Sequence, residues 1–397
     1  MRRIQPGPAQ VALNFVLVIG IANLFADLTY EGARSINGQF LATLGASGLA
    51  VGFTAGAGEL LGYGLRSITG LISDRTGRYW LVTITGYAVN MAAVPALALT
   101  GNWPVAAALI MAERTGRAIR KPSTEAMLAH AGHQIGQGWV FGLNEALDQT
   151  GATIGPLIVA LVLFLKGGYR QGYALLAIPA IVTVATILVA RRWFPRPSAL
   201  EAAPALDSQG FDRRYWYYLV AAGCVAAGFA DFALIGYHFQ KMSVISPTLI
   251  PVYYAVAMGA GAVGALGLGR LVDINQSWTV LGTFLATAFF APFVFLGGPL
   301  IALAGMVLWG IGLAAQESLL RSIVARIVDA SRRATAFGLF DTGFGIAWFI
   351  GSVVMGYLYG ISIPGLVIFS VLLQLIALPL FAFAGLRPRK DAETSNP

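Results

Sequence analysis

The sequence predicts an all-α membrane protein of twelve transmembrane helices, folded as two pseudo-symmetric six-helix bundles. Three observations predict it. The 397 residues are 57% hydrophobic and only 11% charged, with mean hydropathy +0.72, whereas an ordinary soluble domain carries about 25% charged residues. This excludes a water-soluble globular chain. A bilayer-spanning helix needs about 20 apolar residues, and apolar runs of that size recur along the chain. Short sequences in the first half also return in the second at nearly constant offset.

In windows of about 19 residues, the apolar runs begin near Val11, Leu49, Leu81, Pro104, Val140, Tyr173, Trp216, Leu249, Val280, Pro299, Ala336 and Pro364. Met1-Arg2-Arg3 before the first run has the form of a signal-peptide start, but eleven further spans make an uncleaved first helix the better reading. The second run holds Gly52-x-x-x-Gly56 and Gly58-x-x-x-Gly62, steps that suit helix packing surfaces. Between the sixth and seventh runs lies a polar stretch with Pro195, Pro197, Glu201, Pro204, Asp207 and Asp212. It is read as a cytoplasmic linker over 193–213, joining bundles over 1–192 and 214–390, with a polar tail at 391–397.

The recurrences identify the bundles as repeats. Phe25-Ala26-Asp27 returns as Phe229-Ala230-Asp231, offset 204, and Gly70 with Asp74 returns as Gly269 with Asp273, offset 199. Phe141-Gly142-Leu143, Glu145 and Gly155 return as Phe337-Gly338-Leu339, Asp341 and Gly351, offset 196, which Gly116 and Gly312 share. Secondary transporters are commonly built from such duplications, with substrate bound between the repeats near the bilayer midplane.

The formal net charge is +8, with Lys and Arg clustered between apolar runs. That is a topology signal, and nucleic acid is not expected as a partner. Arg34, Lys166, Arg170 and Lys241 lie on odd-to-even connections; Arg114 is placed inside the fourth span. The remaining Lys and Arg, Arg117 and Arg120 among them, fall at the termini and on even-to-odd connections, so both termini are expected in the cytoplasm of a multi-pass protein of the cell inner membrane. The single cysteine, Cys224, allows no internal disulfide and no cysteine-rich metal site.

Between spans two and three, Gly70-Leu-Ile-Ser-Asp74-Arg75-Thr-Gly77-Arg78 combines glycines for a tight turn and close helix approach with an acid that can pair with nearby arginines. This segment resembles the signature loop of the major facilitator superfamily, in which it latches the cytoplasmic helix ends and biases alternating access. Glu113-Arg114-Thr-Gly116-Arg117-Ala-Ile-Arg120-Lys121-Pro122, Glu125-Ala126-Met127, Gln316-Glu317-Ser318 and Arg333-Ala-Thr-Ala-Phe-Gly338 are similar to an archaeal permease-like prokaryotic branch. That branch carries an arginine near position 124, where Thr124 stands here. Gly151-Ala-Thr-Ile-Gly155-Pro156 resembles the antiporter motif of the superfamily, without the paired glycines after the proline. Helix packing by small residues, with a kink at Pro156, is the alternative. The resemblance implies a monomer.

Charges inside spans carry most weight, because each costs about 3 kcal/mol or more at the bilayer centre. Asp27, Glu31 and Arg34 share one face of helix one. Glu59, Glu113, Arg114, Glu145, Asp148, Asp231, Glu317 and Asp341 are the other pathway or proton-coupling candidates. Low dielectric favours a neutral carboxyl unless a cation stands beside it, so such groups can take up and release a proton during a cycle. Static pairs that only tie helices together are the alternative. His130-Ala-Gly-His133 is read as a solvated loop pair, and no metal is expected.

Lys121, Lys166, Lys241 and Lys390 are preceded by Arg, Leu, Gln and Arg, so no Gly-Lys-Ser/Thr phosphate loop exists, and neither His-Glu-x-x-His nor Gly-x-Ser-x-Gly occurs. An enzyme is not expected, and the proton gradient takes the place of a cofactor. The sequence therefore points to a secondary transporter exporting a small molecule in exchange for protons. An importer of an organic acid or sugar-like metabolite, a lipid flippase and a non-transporting sensor are the alternatives.

Overall fold

The computed structural model describes residues 8–195, 211–328 and 333–384, all helical or in short connections. The first half is built from α1 (Pro8–Thr43), α2 (Gly48–Thr76), α3 (Tyr79–Ala96), α4 (Trp103–Ile135), α5 (Gln137–Phe164), and the nearly continuous pair α6 (Tyr169–Leu175) and α7 (Ala177–Trp193). In the second half follow α8 (Arg213–Gly228), α9 (Phe232–Lys241), α10 (Ile250–Thr287), α11 (Phe290–Leu296), α12 (Pro299–Ala314), a π-turn at Ala315–Leu319, α13 (Leu320–Ile327), α14 (Arg333–Ile361) and α15 (Ile363–Phe383). Among the described residues, ten helical stretches are long and apolar enough to cross a membrane. The helices α2 and α4 are long enough but are not among them; Arg66, Asp74, Arg75 and Glu113, Arg114, Arg117, Arg120 and Lys121 interrupt their apolar runs. Outward side chains such as Ile178, Ile181 and Leu300 are 61%, 69% and 82% exposed, as expected of a surface made for acyl chains rather than water.

The helices cluster into two compact units. The first holds the described residues within Met1–Gly45, Leu61–Ala203 and Ser246–Ala255; the second holds those within Ala46–Leu60, Pro204–Ile245 and Val256–Pro397. Each unit thus takes one short segment from the other half of the chain. Residues 196–210 and 385–397, most of the expected linker and tail, lie outside the described residues.

The first unit is knitted by glycines that let backbones touch. A Cβ on Gly151 would stand 2.3 Å from the Leu24 carbonyl, and one on Gly155 2.3 Å from the Leu28 carbonyl, so α5 lies directly on α1. A Cβ on Gly116 of α4 would meet the Asn90 amide of α3 in the same way, at 2.4 Å. In the second unit a Cβ on Gly351 of α14 would stand 2.1 Å from the Ala227 carbonyl of α8, so the recurring glycines Gly155 and Gly351 do the same work in each repeat. Gly52 likewise seats the first half of α2 on α14, where a Cβ would come 2.4 Å from the Ser352 carbonyl, while Gly62 faces open space. The step Gly58-x-x-x-Gly62 therefore has no close contact at its second glycine, correcting the expectation of a packing surface there.

The second half has two helix breaks, one within a span and one at the join of two spans. Between α8 and α9 the chain leaves the helix at Phe229–Asp231, and Asp231 Oδ1 accepts from the Ala233 amide at 2.9 Å as the N-cap of α9. The carbonyls released there are met by side chains, as a membrane interior demands. Ser370 Oγ donates to Gly228 O at 2.5 Å, and Trp309 Nε1 donates to Ala230 O at 2.8 Å. The long α10 is interrupted at Asn275, φ −152° and ψ 93°, whose side chain accepts from the Trp278 amide at 3.2 Å and restarts the helix. An aromatic core of Phe229, Phe290, Trp309 and Trp348 surrounds the first break, with Trp309 stacked on Phe229 at 5.7 Å.

The segment Gly70–Arg78 is mostly helix rather than loop. The helix α2 runs to Thr76, Gly77 supplies the turn with φ +63°, and α3 starts at Tyr79. Arg75 and Arg78 are exposed; the side chains of Asp74 and Asp273 lie outside the described residues. The end of α2 is tied to α4 by Ser73 Oγ and Ser123 Oγ at 2.6 Å and by Thr69 Oγ1, which donates to the Ala118 carbonyl at 3.1 Å. Ser73→Ala is expected to lower stability by about 1 kcal/mol, the usual net worth of one buried hydrogen bond. Thermal unfolding of the purified protein would check it, and an unchanged midpoint would show that the serine pair adds nothing.

Candidate functional site

The charges gather in the first unit. The periodicity of α1 places Asn23, Asp27, Glu31 and Arg34 on one inward stripe, each no more than 7% exposed. Facing them, α4 brings Glu113, Arg114, Arg117 and Arg120. All three arginines stand three residues apart, so they follow one helix face. Asn90 and Tyr87 come from α3, Asn144 and Asp148 from α5, and Tyr254 from the start of α10. The glycine seams described above allow α5 and α3 to come close enough to take part.

Ion pairs link the two stripes. Arg34 lies 3.8 Å and Arg117 3.7 Å from Glu31, Arg114 lies 3.5 Å from Glu113, and Arg120 lies 3.9 Å from Asp27. Aromatic rings flank the guanidinium groups: Arg117 stands 4.4 Å over Tyr30, and Arg120 stands 4.4 Å over Tyr87. Hydrogen bonds complete the network. Asn90 Nδ2 donates to Glu113 Oε1 at 2.9 Å, Tyr254 donates to Glu31, and Arg120 Nη1 donates to Asn23 Oδ1 at 3.2 Å and to the Tyr87 hydroxyl at 3.0 Å. Acids and bases thus stand at ion-pair distance in a setting shut from water, where removing one partner is costly. A change in the number or position of protons or of bound charge would rearrange them.

Asp27, Glu31, Arg34, Glu113 and Arg114 thus come together, with Asp148 at the edge of the group. The other sequence candidates lie elsewhere. Glu145 is exposed on α5 and accepts from Gln149 of its own helix at 2.8 Å. Glu59 is buried in the part of α2 that belongs to the second unit, and Asp231 is the helix cap described above. Glu317 is exposed within the π-turn, beside buried Gln316, and Asp341 is half-buried on α14. Gly151 and Gly155 act as contact residues between α5 and α1, and Pro156 is accommodated inside α5.

Two sequence expectations are corrected. Arg117 and Arg120, expected on a cytoplasmic connection, sit inside α4 and face the network, because the helix continues through Pro122 to Ile135. The period of three in Arg114, Arg117 and Arg120 was the signal for this. His130 and His133 belong to α4 rather than to a loop; their side chains lie outside the described residues. Among the described residues no cluster of three or more His, Cys, Asp or Glu could hold a metal.

Comparison with known proteins agrees with the architecture. The sequence profile of the Major Facilitator Superfamily matches residues 19–325, and the chain belongs to that superfamily. It is 38% identical over 390 residues, 96% of this chain and 95% of the relative, to an uncharacterized protein of Mycobacterium tuberculosis. To an uncharacterized MFS-type transporter of Methanocaldococcus jannaschii it is 23% identical, covering 93% and 94% of the two chains. Among solved structures, the nucleoside transporter NupG is similar with TM-score 0.74 at 11% identity, over 94% of this chain and 99% of that one. A peptide transporter, POT, in complex with sulfate is similar with TM-score 0.73 at 13% identity, covering 96% of this chain and 97% of that one. At such identities these two share the fold. The protein is a multi-pass membrane transporter of the superfamily.

Proposed function

We propose that this chain is a proton-coupled secondary transporter of the cell inner membrane, working as a monomer with both termini cytoplasmic and exporting a small molecule in exchange for protons. The observation that carries the coupling is the buried network of Asp27, Glu31 and Glu113 with Arg34, Arg114, Arg117 and Arg120. Ionisable groups within spans are expensive and mark ion or substrate pathways. Asp27 and Glu31 serve as proton or substrate carboxylates, and the arginines set their charge or contact an anionic group. The end of α2, with Asp74, Arg75 and Arg78, serves as the cytoplasmic gate.

The test is proton movement in proteoliposomes, followed with a pH dye while cationic, zwitterionic and anionic solutes are added singly. Wild type is expected to move protons with one class of solute and in the sense of exchange, and Asp27→Asn is expected to abolish that coupling. Proton movement in the same direction as the solute would instead establish import. Coupled flux that survives in both Asp27→Asn and Asp341→Asn would overturn the assignment of the carboxylates. Silence across the panel from a folded protein would favour lipid translocation or sensing.

A further inference from the structure

Among the described residues of the first unit, Asp148 and the exposed Glu145 stand outside the ion pairs. Asp148 of α5 lies in a membrane-spanning stretch, Gly142–Phe164. Its Oδ2 accepts from Asn144 Nδ2 at 3.0 Å, while its Oδ1 is shut from solvent and has no hydrogen-bond partner. Among the described residues no lysine or arginine stands within ion-pair distance of it. The charged groups that act on it from a greater distance are Asp27 on α1, Glu145 on its own helix, and Lys121 and Arg120 on α4. Asp27, one helix away, has what Asp148 lacks, the Arg120 guanidinium.

A hydrogen-bond chain joins the two acids. Asp148 is held by Asn144; Asn144 Oδ1 accepts from Asn23 Nδ2 at 2.7 Å; Asn23 Oδ1 accepts from the Tyr87 hydroxyl and from Arg120 Nη1, whose other nitrogen faces Asp27. Each amide in this chain has its oxygen and nitrogen oriented by a neighbour, so a change at one end bears on the other. A buried oxygen without a donor is tolerated far better on a neutral carboxyl than on an anion. Of the two acids, the one without a cation is the one built to carry a proton.

We propose that Asp148 is the proton-binding carboxyl of this transporter, and that its charge state reaches the Asp27–Arg120 pair through Asn144 and Asn23. This rests on the proton-coupled reading above and, within it, assigns the proton to Asp148, leaving to Asp27 and Glu31 the substrate role and the relay of the change. With Asp148 protonated, Asn144 Nδ2 has a weaker acceptor in Oδ2. With Asp148 ionised, the Asn144–Asn23 chain is pulled toward α5, and Arg120 is left more completely to Asp27. Asn144 and Asn23 are positioning residues that pass this change on.

The experiment follows the proton itself and needs no substrate. Infrared spectra of the full chain in lipid, taken from about pH 4 to about pH 9 to cover the range of buried carboxyls, report the carbonyl stretch of protonated carboxyl groups. A titrating band is expected in wild type, absent in Asp148→Asn and retained in Asp27→Asn. Asp148→Glu is expected to keep a titrating band with a displaced midpoint, and Asn144→Ala to displace the midpoint without removing the band. A wild type with no titrating band, or a band that persists unchanged in folded Asp148→Asn, overturns the proposal. If that band persists while solute-driven proton flux is intact, Asp148 is excluded and the coupled reading stands. If the band behaves as expected but no solute moves protons, the proton site stands and the coupled reading fails.

Discussion

Arg120→Ala is expected to lower the stability of the first unit by about 3–5 kcal/mol, the range found when one partner of a buried ion pair is removed. The side chain is 5% exposed and is used on several sides. Nη2 faces Asp27 at 3.9 Å, Nη1 serves Asn23 and Tyr87, and the guanidinium plane lies over the Tyr87 ring. Alanine would take from the buried Asp27 carboxylate its ion-pair partner, with Arg117 the cation that remains, and from the Asn23 amide oxygen one of its two donors. Arg120→Lys is expected to recover only part of the loss, since an ammonium cannot stack on the ring and reach two acceptors in the same geometry. Adding Asp27→Asn to Arg120→Ala should restore part of the stability, because the charge that lost its ion-pair partner is then gone. Thermal unfolding of the three purified variants measures this. An Arg120→Ala protein as stable as wild type would mean that the pair contributes nothing to the fold.

The helices were legible in the sequence because a bilayer demands long apolar runs, and the repeats because Gly155 and Gly351 must each meet a neighbouring backbone. The acids of α1 and α4 were legible for a related reason: charge is rare where water is absent. Their partners were not. Tyr254 reaches Glu31 across 223 residues of sequence, and Asn23 reaches Asn144 across 121, distances over which no periodicity speaks. Arg117 and Arg120 were hidden by the positive-inside count, which assigns any arginine near a span end to the cytoplasm. Asp231 shows the converse. An aspartate within an apolar run reads as a coupling candidate, and here it also caps a restarted helix, a role that only the break at Phe229–Asp231 reveals.

Gly155→Leu and Gly351→Leu are both expected to prevent folding, and the alanine variants to cost about 1–3 kcal/mol each, as overpacked interiors do. The carbonyls in the way, Leu28 O at 2.3 Å and Ala227 O at 2.1 Å, belong to helix backbone and cannot rotate aside as a side chain could. Relief would require whole helices to separate, with loss of contact along each seam. Gly64→Ala is the matched control, since nothing lies within 4 Å of its Cβ position, and there alanine should be neutral or mildly stabilising. Gly151→Ala joins this series to the charge network. Its Cβ would press on the Leu24 carbonyl and stand 3.1 Å from the Asp27 Cβ, so separating α5 from α1 lengthens the Asn23–Asn144 link before the unit unfolds. It should therefore displace the Asp148 carboxyl titration at temperatures where the protein is still folded, whereas Gly351→Ala, on a seam of the other unit, should lower stability and leave that titration in place. Equal displacement by both variants would show that the seam of α1 and α5 has no special hold on the acids it carries.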